Sequence, residues 1–242
     1  MQGWISMTET SRLGLPLLEP AQAQKHVTVN EALLRLDALN QINLTGAGEV
    51  TPPTSPSEGE THSLGAGATG VWSGEDGNLA VFSNNGWIFV VPLPGWRGWD
   101  AENGVSLTFD GSQWVEGAGS ISPNGAAFVH RSIEVDHNLG SGGSSLVSEA
   151  LPADSIVYGV TGRVLSAIGG ATSYEMGVSG STNRYGSGFG VSVGSWTRGL
   201  TGSPLAYYSA TDLLLSASGG NFDGTGTIRL AIHFAQLNIP RA

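Results

Sequence analysis

The run Ile228-Arg229-Leu230-Ala231-Ile232-His233-Phe234 decides the fold of this chain. Ile228, Leu230, Ile232 and Phe234 recur at every second position, with Arg229, Ala231 and His233 between them. Successive side chains of a strand point to opposite faces. The run therefore predicts a half-buried antiparallel strand with one apolar and one solvated face. The pattern recurs upstream. From Phe128, one face reads Val129, Ile133 and Val135, and the other reads His130, Ser132, Glu134 and Asp136. Ile156, Tyr158, Val160 and Val164 are expected to share a face. So are Phe189, Val191 and Val193, with Gly190, Ser192, Gly194 and Trp196 opposite. Seven or eight such strands at short intervals predict an antiparallel β-sandwich, jelly-roll-like, over residues 127–242.

Composition agrees with an all-β class. The chain has 242 residues, room for one large β-domain or two small ones. Its 37 glycines show no period of three, so they are turn glycines and not collagenous. A hydrophobic share of 40% is enough for a packed core. The formal net charge of −10 argues against nucleic-acid binding and against docking on anionic lipid, both of which need basic surface. It leaves open neutral sugars, and acidic sugars met by a local Arg cluster. There is no Cys, hence no disulfide framework and no thiolate metal site.

No apolar run approaches the length that spans a bilayer, so no membrane insertion is expected. Met1 to Thr10 shows neither a basic nor an apolar region of a secretory signal, and Met7 offers an alternative start. Synthesis in the cytoplasm is the expectation.

The front of the chain reads differently. Residues 8–27 carry two prolines and little periodicity, and read as extended. Thr28 then looks like a helix N-cap, with Glu31 completing a capping box, and the helix should run to about Ile42. Val29, Ala32, Leu36 and Leu39 form a heptad-like stripe along it. That stripe either packs on its own β-domain or self-associates around a three-fold axis. Residues 1–42 thus read as anchor plus helix, and 43–59, with three prolines, as a linker.

Residues 60–116 read as a small Trp-rich meander sheet. Leu79–Ser83 and Trp87–Val91 flank Asn84-Asn85-Gly86, a tight-hairpin signal. Ser106–Phe109 and Gln113–Val115 flank a second turn at Asp110-Gly111. Trp72, Trp87, Trp96, Trp99 and Trp114 each follow a glycine closely, which suggests either a sugar-binding repeat or bulky core for small sheets. Core is the favoured reading. Residues 117–126 form a second boundary.

Sugar recognition needs a flat aromatic face and planar polar groups. The best local set is Asn183-Arg184-Tyr185, Trp196-Thr197-Arg198 and Tyr207-Tyr208. Trp196 falls on the glycine-rich face of its run, where a core Trp is not expected; covering a sheet edge or a subunit interface is the competing role. Tyr207 and Tyr208 must point to opposite faces if extended, so at most one meets ligand. Glu134 and Asp136 share a face roughly 6–7 Å apart by strand rise, a separation glycosidases use. Nothing in the sequence desolvates either carboxylate, a charged outward face is the commonest explanation of such a pair, and no enzyme is expected. The five histidines lack zinc spacing, Asp223-Gly224-Thr225 reads as a turn, and no phosphate loop or Gly-x-Ser-x-Gly elbow is present. No metal or cofactor is expected.

The runs Ser11-Arg12-Leu13-Gly14-Leu15-Pro16, Gln22-Ala23-Gln24-Lys25-His26-Val27-Thr28 and Asn30-Glu31-Ala32-Leu33 resemble the opening of a family of phage-type proteins found in prophages and gene transfer agents. Gly70-Val71-Trp72, Asn85-Gly86-Trp87 and Phe109-Asp110-Gly111-Ser112-Gln113-Trp114 are similar to the same N-terminal domain. Gly169-Gly170-Ala171-Thr172-Ser173-Tyr174, Gly194-Ser195 and Ile228-Arg229-Leu230-Ala231-Ile232-His233 extend the likeness over most of the chain. The resemblance implies a fibre or spike at the virion surface. Its N-terminal part would dock on other virion proteins and form a homotrimer, and its C-terminal sandwich would bind host-surface polysaccharide. Val29 stands where such proteins often carry a polar residue such as His, which argues against a second role for the helix beyond packing. A depolymerising tailspike and a purely structural virion adaptor are the alternatives.

Overall fold

The computed structural model describes residues 9–18 and 25–242 of an all-β protein carrying one short helix among the described residues. It divides into two compact units, one ending at Ala118 and one spanning Gly119–Ala242.

The first unit opens with α1 (Lys25–Leu39). It continues through β1 (Ile42–Leu44), β2 (Gly46–Glu49), β3 (Thr61–Leu64), β4 (Leu79–Ser83), β5 (Gly86–Val90), β6 (Arg97–Asp100), β7 (Val105–Phe109) and β8 (Trp114–Glu116). These strands make two four-stranded sheets of one plan, β1-β6-β7-β8 and β2-β3-β4-β5. In each, a short leading strand pairs in parallel with the first member of an antiparallel meander. Each meander ends in a hairpin that sets a Phe opposite a Trp. Phe82 faces Trp87 and Phe109 faces Trp114, with ring centroids 5.1 and 5.4 Å apart. Such cross-strand aromatic pairs fix register in small sheets. Asn84 and Asn85 adopt φ of 52° and 58°, the left-handed pair that a two-residue hairpin turn demands.

Most of the tryptophans are core. Trp72 is fully buried with Leu64, Ala68 and Ala80, and Trp87 packs on them. Trp96 and Trp114 pack against Ile42, Leu44, Leu79 and Leu107. Among the five tryptophans of residues 60–116, Trp99 is the exception and is exposed.

Three expectations at the front are corrected. Residues 43–59 are no linker, because β1 and β2 lie there and each joins a different sheet. The helix has begun by Lys25 and stops at Leu39, so Thr28 lies inside it and cannot be its N-cap, and Ile42 belongs to a strand. Lys25–Val27 are helical, not extended; residues 1–8 and 19–24, including Met7 and Gln22-Ala23-Gln24, lie outside the described residues. The segment before the helix is held by the buried carboxylate of Asp37. That carboxylate accepts hydrogen bonds from Thr10 Oγ1 (2.6 Å) and from the backbone amides of Leu13 (2.6 Å) and Arg12 (3.1 Å). Arg12 donates to the carbonyls of Ala38 and Gln41 at the end of the helix, where carbonyls lack intrahelical partners.

The second unit comprises β9 (Ala118–Ile121), β10 (Ala127–Asn138), β11 (Ser141–Gly142), β12 (Ser144–Leu151), β13 (Ser155–Ser166), β14 (Ser173–Gly177), β15 (Trp196–Tyr207), β16 (Thr211–Ser218), β17 (Phe222–Asp223) and β18 (Thr227–Asn238). A five-stranded sheet, β15-β13-β18-β10-β9, packs on a three-stranded sheet, β12-β16-β14, and β11-β17 form a small ribbon. Ile228, Leu230, Ile232 and Phe234 enter one core with Val147, Leu151, Tyr174, Met176, Leu213 and Leu215. The alternation in β18 is therefore read correctly from sequence. The five-over-three layering replaces the paired four-stranded sheets of a jelly roll.

The stretch read as a boundary, 117–126, contains the division between the two units, and β9 lies in it. Two further readings change. The backbone at Phe189–Ser195 is irregular, with a single bridge from Phe189 to Tyr174. In β13 the register shifts between Val157 and Gly159, so Val157 and Val160 point inward while Ile156 and Tyr158 leave the shared face. One extra residue in a strand re-aims every side chain before it.

His137, near the end of β10, meets the buried Ser145 hydroxyl at 2.7 Å, and Ser145 Oγ also accepts the Gly140 amide. Burial pushes the His137 imidazole below its ordinary value. The unfolded chain then binds a proton that the folded chain resists. This contribution to stability is complete above the ordinary histidine range and shrinks as pH falls through it, levelling off below the folded value. Thermal melts from about pH 8 to about pH 5 should show a falling midpoint across the histidine range. His137→Gln should flatten that limb, and an unchanged slope would contradict the assignment.

Candidate functional site

The outer face of the five-stranded sheet carries the candidate site. β15 begins Trp196-Thr197-Arg198-Gly199-Leu200, and the pleat sends Trp196, Arg198 and Leu200 outward while Thr197 and Gly199 are buried. The inward position at Gly199 has no room: a Cβ built there would lie 2.2 Å from the Tyr185 carbonyl oxygen. The large residues of this strand accordingly stand on the other face.

Pairing continues the face across four strands. Trp196 lies opposite Arg163 on β13, Arg163 opposite Arg229 on β18, and Arg229 opposite Asp136 on β10. The next row runs Arg198, Thr161, Ala231, Glu134. With strands about 4.8 Å apart, each row is about 14 Å long. Small residues at the centre, Thr161, Gly162 and Ala231, leave a concavity of about 480 Å³ between the larger side chains. Trp196 is 62% exposed at its rim.

The electrostatics are set by three arginines and two carboxylates, Glu134 and Asp136. Arg229 grips both oxygens of Asp136, at 2.7 and 2.8 Å. That hydrogen bonding holds the Asp136 carboxyl below, and the Arg229 guanidinium above, their ordinary values. Arg163 donates to the Gly194 carbonyl at 3.2 Å, and Arg198 lies over the Trp196 ring with 5.7 Å to its centroid. Among the described residues, neither Arg163 nor Arg198 pairs with a carboxylate. This face can stack a flat apolar surface on an indole and offer it unpaired cations with forked donors.

Of the seven residues singled out from sequence, the structure brings Trp196 and Arg198 together and disperses the others. Tyr185 is buried, its hydroxyl 2.9 Å from that of the buried Tyr207. Burial, followed by that hydrogen bond, raises the Tyr185 phenol above its ordinary value. Both rings are core and are withdrawn from the site. Asn183 is exposed and Arg184 half-buried, on the chain segment that packs under the inner side of β15, away from the Trp196 face. Tyr208 points opposite to Tyr207, as the pleat requires, and is 85% exposed. It lines a separate, mostly apolar concavity with Phe128, Ile156, Leu237 and Ile239.

Arg163 and Arg229 were missed. Alternation placed Arg229 outward, but which strand lies beside which is not written in a single strand's pattern. The stripe on α1 faces solvent within this chain: Val29 is 41% and Leu36 53% exposed, Ala32 is exposed, and Leu39 packs beside Ile42.

Asp223 accepts hydrogen bonds from the amide and hydroxyl of Thr225 and closes a turn. Among the described residues no cluster of three or more His, Cys, Asp or Glu side chains is placed to hold a metal ion. No helix among them is long and apolar enough to cross a membrane.

Comparison with known proteins finds a family and, among the solved structures that match, a phage capsid. A chain of the capsid asymmetric unit of cyanophage Pam1 is 22% identical over 46% of this chain and 84% of its own, with a TM-score of 0.29, a likeness too distant to support an argument. No curated protein matches. Residues 29–115, which hold most of α1 and both sheets of the first unit, match a family described as protein of unknown function DUF2793.

Proposed function

We propose that this chain is a virion attachment protein that fixes a phage-like particle to host-surface polysaccharide without cleaving it. The observation that carries the sugar-binding half is the exposed Trp196 ring beside three arginines on a concave strand face. A bare indole on a sheet surface costs solvation and aggregation risk, and ligand stacking is a use that offsets it. The virion half is supported by the phage-type sequence resemblance and by the family match over the first unit. The solvent-facing stripe Val29, Ala32, Leu36 supports a homotrimer, in which one weak site acts three times. The non-catalytic reading is supported at Asp136, which has both oxygens engaged by Arg229.

The test is binding of the full chain to purified capsular and envelope polysaccharides, with solution mass and polymer length followed together. Trp196→Ala should weaken binding at least about ten-fold, in the range of a buried aromatic anchor. Polymer length should stay constant and the mass should be that of a trimer. Polymer shortening would favour the depolymerase. A chain that ignores every glycan would favour the structural adaptor.

A further inference from the structure

The first unit repeats the design of the Trp196 face. On β6, Arg97 and Trp99 stand outward and exposed, while Gly98 and Asp100 are buried. That inverts the ordinary pattern, in which an aromatic goes inward and small or charged residues outward. The inversion has a steric root. A Cβ at Gly98 would lie 3.1 Å from the Ile42 side chain, a tight fit that favours a small residue at the inward position of β6. Nothing in that packing asks for an indole on the other side; Ser or Thr would serve a solvated face. Trp99 is nevertheless 48% exposed there.

Its surroundings are those of a saccharide platform. Asn43 on β1 and Ser106 on β7 flank Trp99 in register, one on each side. Arg97, Arg12 and Gln41 complete a concavity of about 470 Å³. No acidic side chain lines it, although the chain has twice as many acids as bases. Among the described residues Arg97 has no carboxylate partner. Both units therefore present a Trp and an Arg two positions apart on an exposed strand face, next to small polar groups and a surplus of cations.

The geometry points to a second glycan-binding platform, centred on Trp99 and Arg97, selective for sugars that carry a carboxylate. The indole stacks on the apolar side of a pyranose, Asn43 and Ser106 meet hydroxyls, and Arg97 meets the charge. The choice of a sugar as ligand rests on the reading of the Trp196 face; the existence of this platform rests on β6 alone. Each chain then carries two sites, one per unit.

The experiment is calorimetric titration of the full chain with a short oligosaccharide cut from an acidic polysaccharide that the chain binds. Parallel titrations use the carboxyl-reduced oligosaccharide, and solution mass is measured for every variant. Two sites per chain are expected, falling to one in Trp99→Ala and to one in Trp196→Ala. Arg97→Gln should keep the stoichiometry but weaken the first-unit site about ten-fold, in line with losing a charge-assisted contact. Raising salt from about 0.1 to about 1 M should weaken both sites. One site per chain that Trp99→Ala leaves intact overturns the inference and leaves the attachment reading standing, as does a mass change in Trp99→Ala, which would make the ring a subunit contact. Equal binding of the carboxyl-reduced sugar overturns the acidic selectivity. No binding of any polysaccharide removes the attachment reading itself.

Discussion

Gly199→Ala is expected to destabilise the second unit by about 3 kcal/mol or more, the upper range for forcing atoms into packed space. The added Cβ would sit 2.2 Å from the Tyr185 carbonyl oxygen, 2.9 Å from the Tyr185 Cβ and 2.9 Å from the Val160 carbonyl oxygen. Two of these are backbone atoms, which no rotamer change can move aside. Relief requires β15 to separate from β13 or the Tyr185 segment to leave its place beneath the sheet. Either movement disturbs the Tyr185–Tyr207 hydroxyl contact and strips core from both rings. Trp196 and Arg198 ride on the same strand, so glycan binding should fall with stability. Gly202→Ala is the internal control. It lies on β15 with nothing within 4 Å of its added Cβ, and should stay within about 0.5 kcal/mol of the parent. Urea unfolding of the two variants measures the contrast, and equal midpoints would refute the tight seat of β15 on the Tyr185 segment.

That seat also explains what could be read from the sequence and what could not. Periodicity is local, so the inward face of β18 and the opposite aims of Tyr207 and Tyr208 were legible from residue order. The hairpin at Asn84-Asn85 was legible because its positive φ requirement is written in the residue types. Tyr185 was misplaced because an amphipathic ring beside Asn and Arg looks like a binding loop until a distant strand closes over it. Arg163 and Arg229 were missed for the same reason, since their adjacency to Trp196 depends on the order β15-β13-β18. The bulge at Val157–Gly159 carries no local signal beyond one glycine, yet it exchanges the faces of β13. The supposed linker was misread because β1 and β2 are three and four residues long, too short to show alternation. Composition likewise gave the wrong scale for charge: a strongly acidic chain holds two local surfaces rich in arginine.

The same glycine-tryptophan spacing yields opposite environments in the first unit, and stability separates them. Trp72→Ala should cost about 3–5 kcal/mol, the usual penalty for removing a fully buried aromatic. Trp72 is 0% exposed, packs edge-on against Trp87 at 5.0 Å and lies 5.3 Å from the His62 ring. Its removal leaves a void that neither neighbour can fill, because Trp87 is tied to Phe82 across the hairpin and His62 meets Glu60 Oε1 at 2.8 Å. Trp99→Ala removes a ring of the same size from a strand face open to solvent, and should cost less than about 1 kcal/mol, as surface substitutions do. Near-UV circular dichroism during thermal unfolding reports both variants. A Trp99→Ala variant as unstable as Trp72→Ala would make Trp99 a structural residue and deprive the first unit of its platform. A stable Trp99→Ala variant that loses a glycan site would mean that the indole is kept on the surface for what it binds.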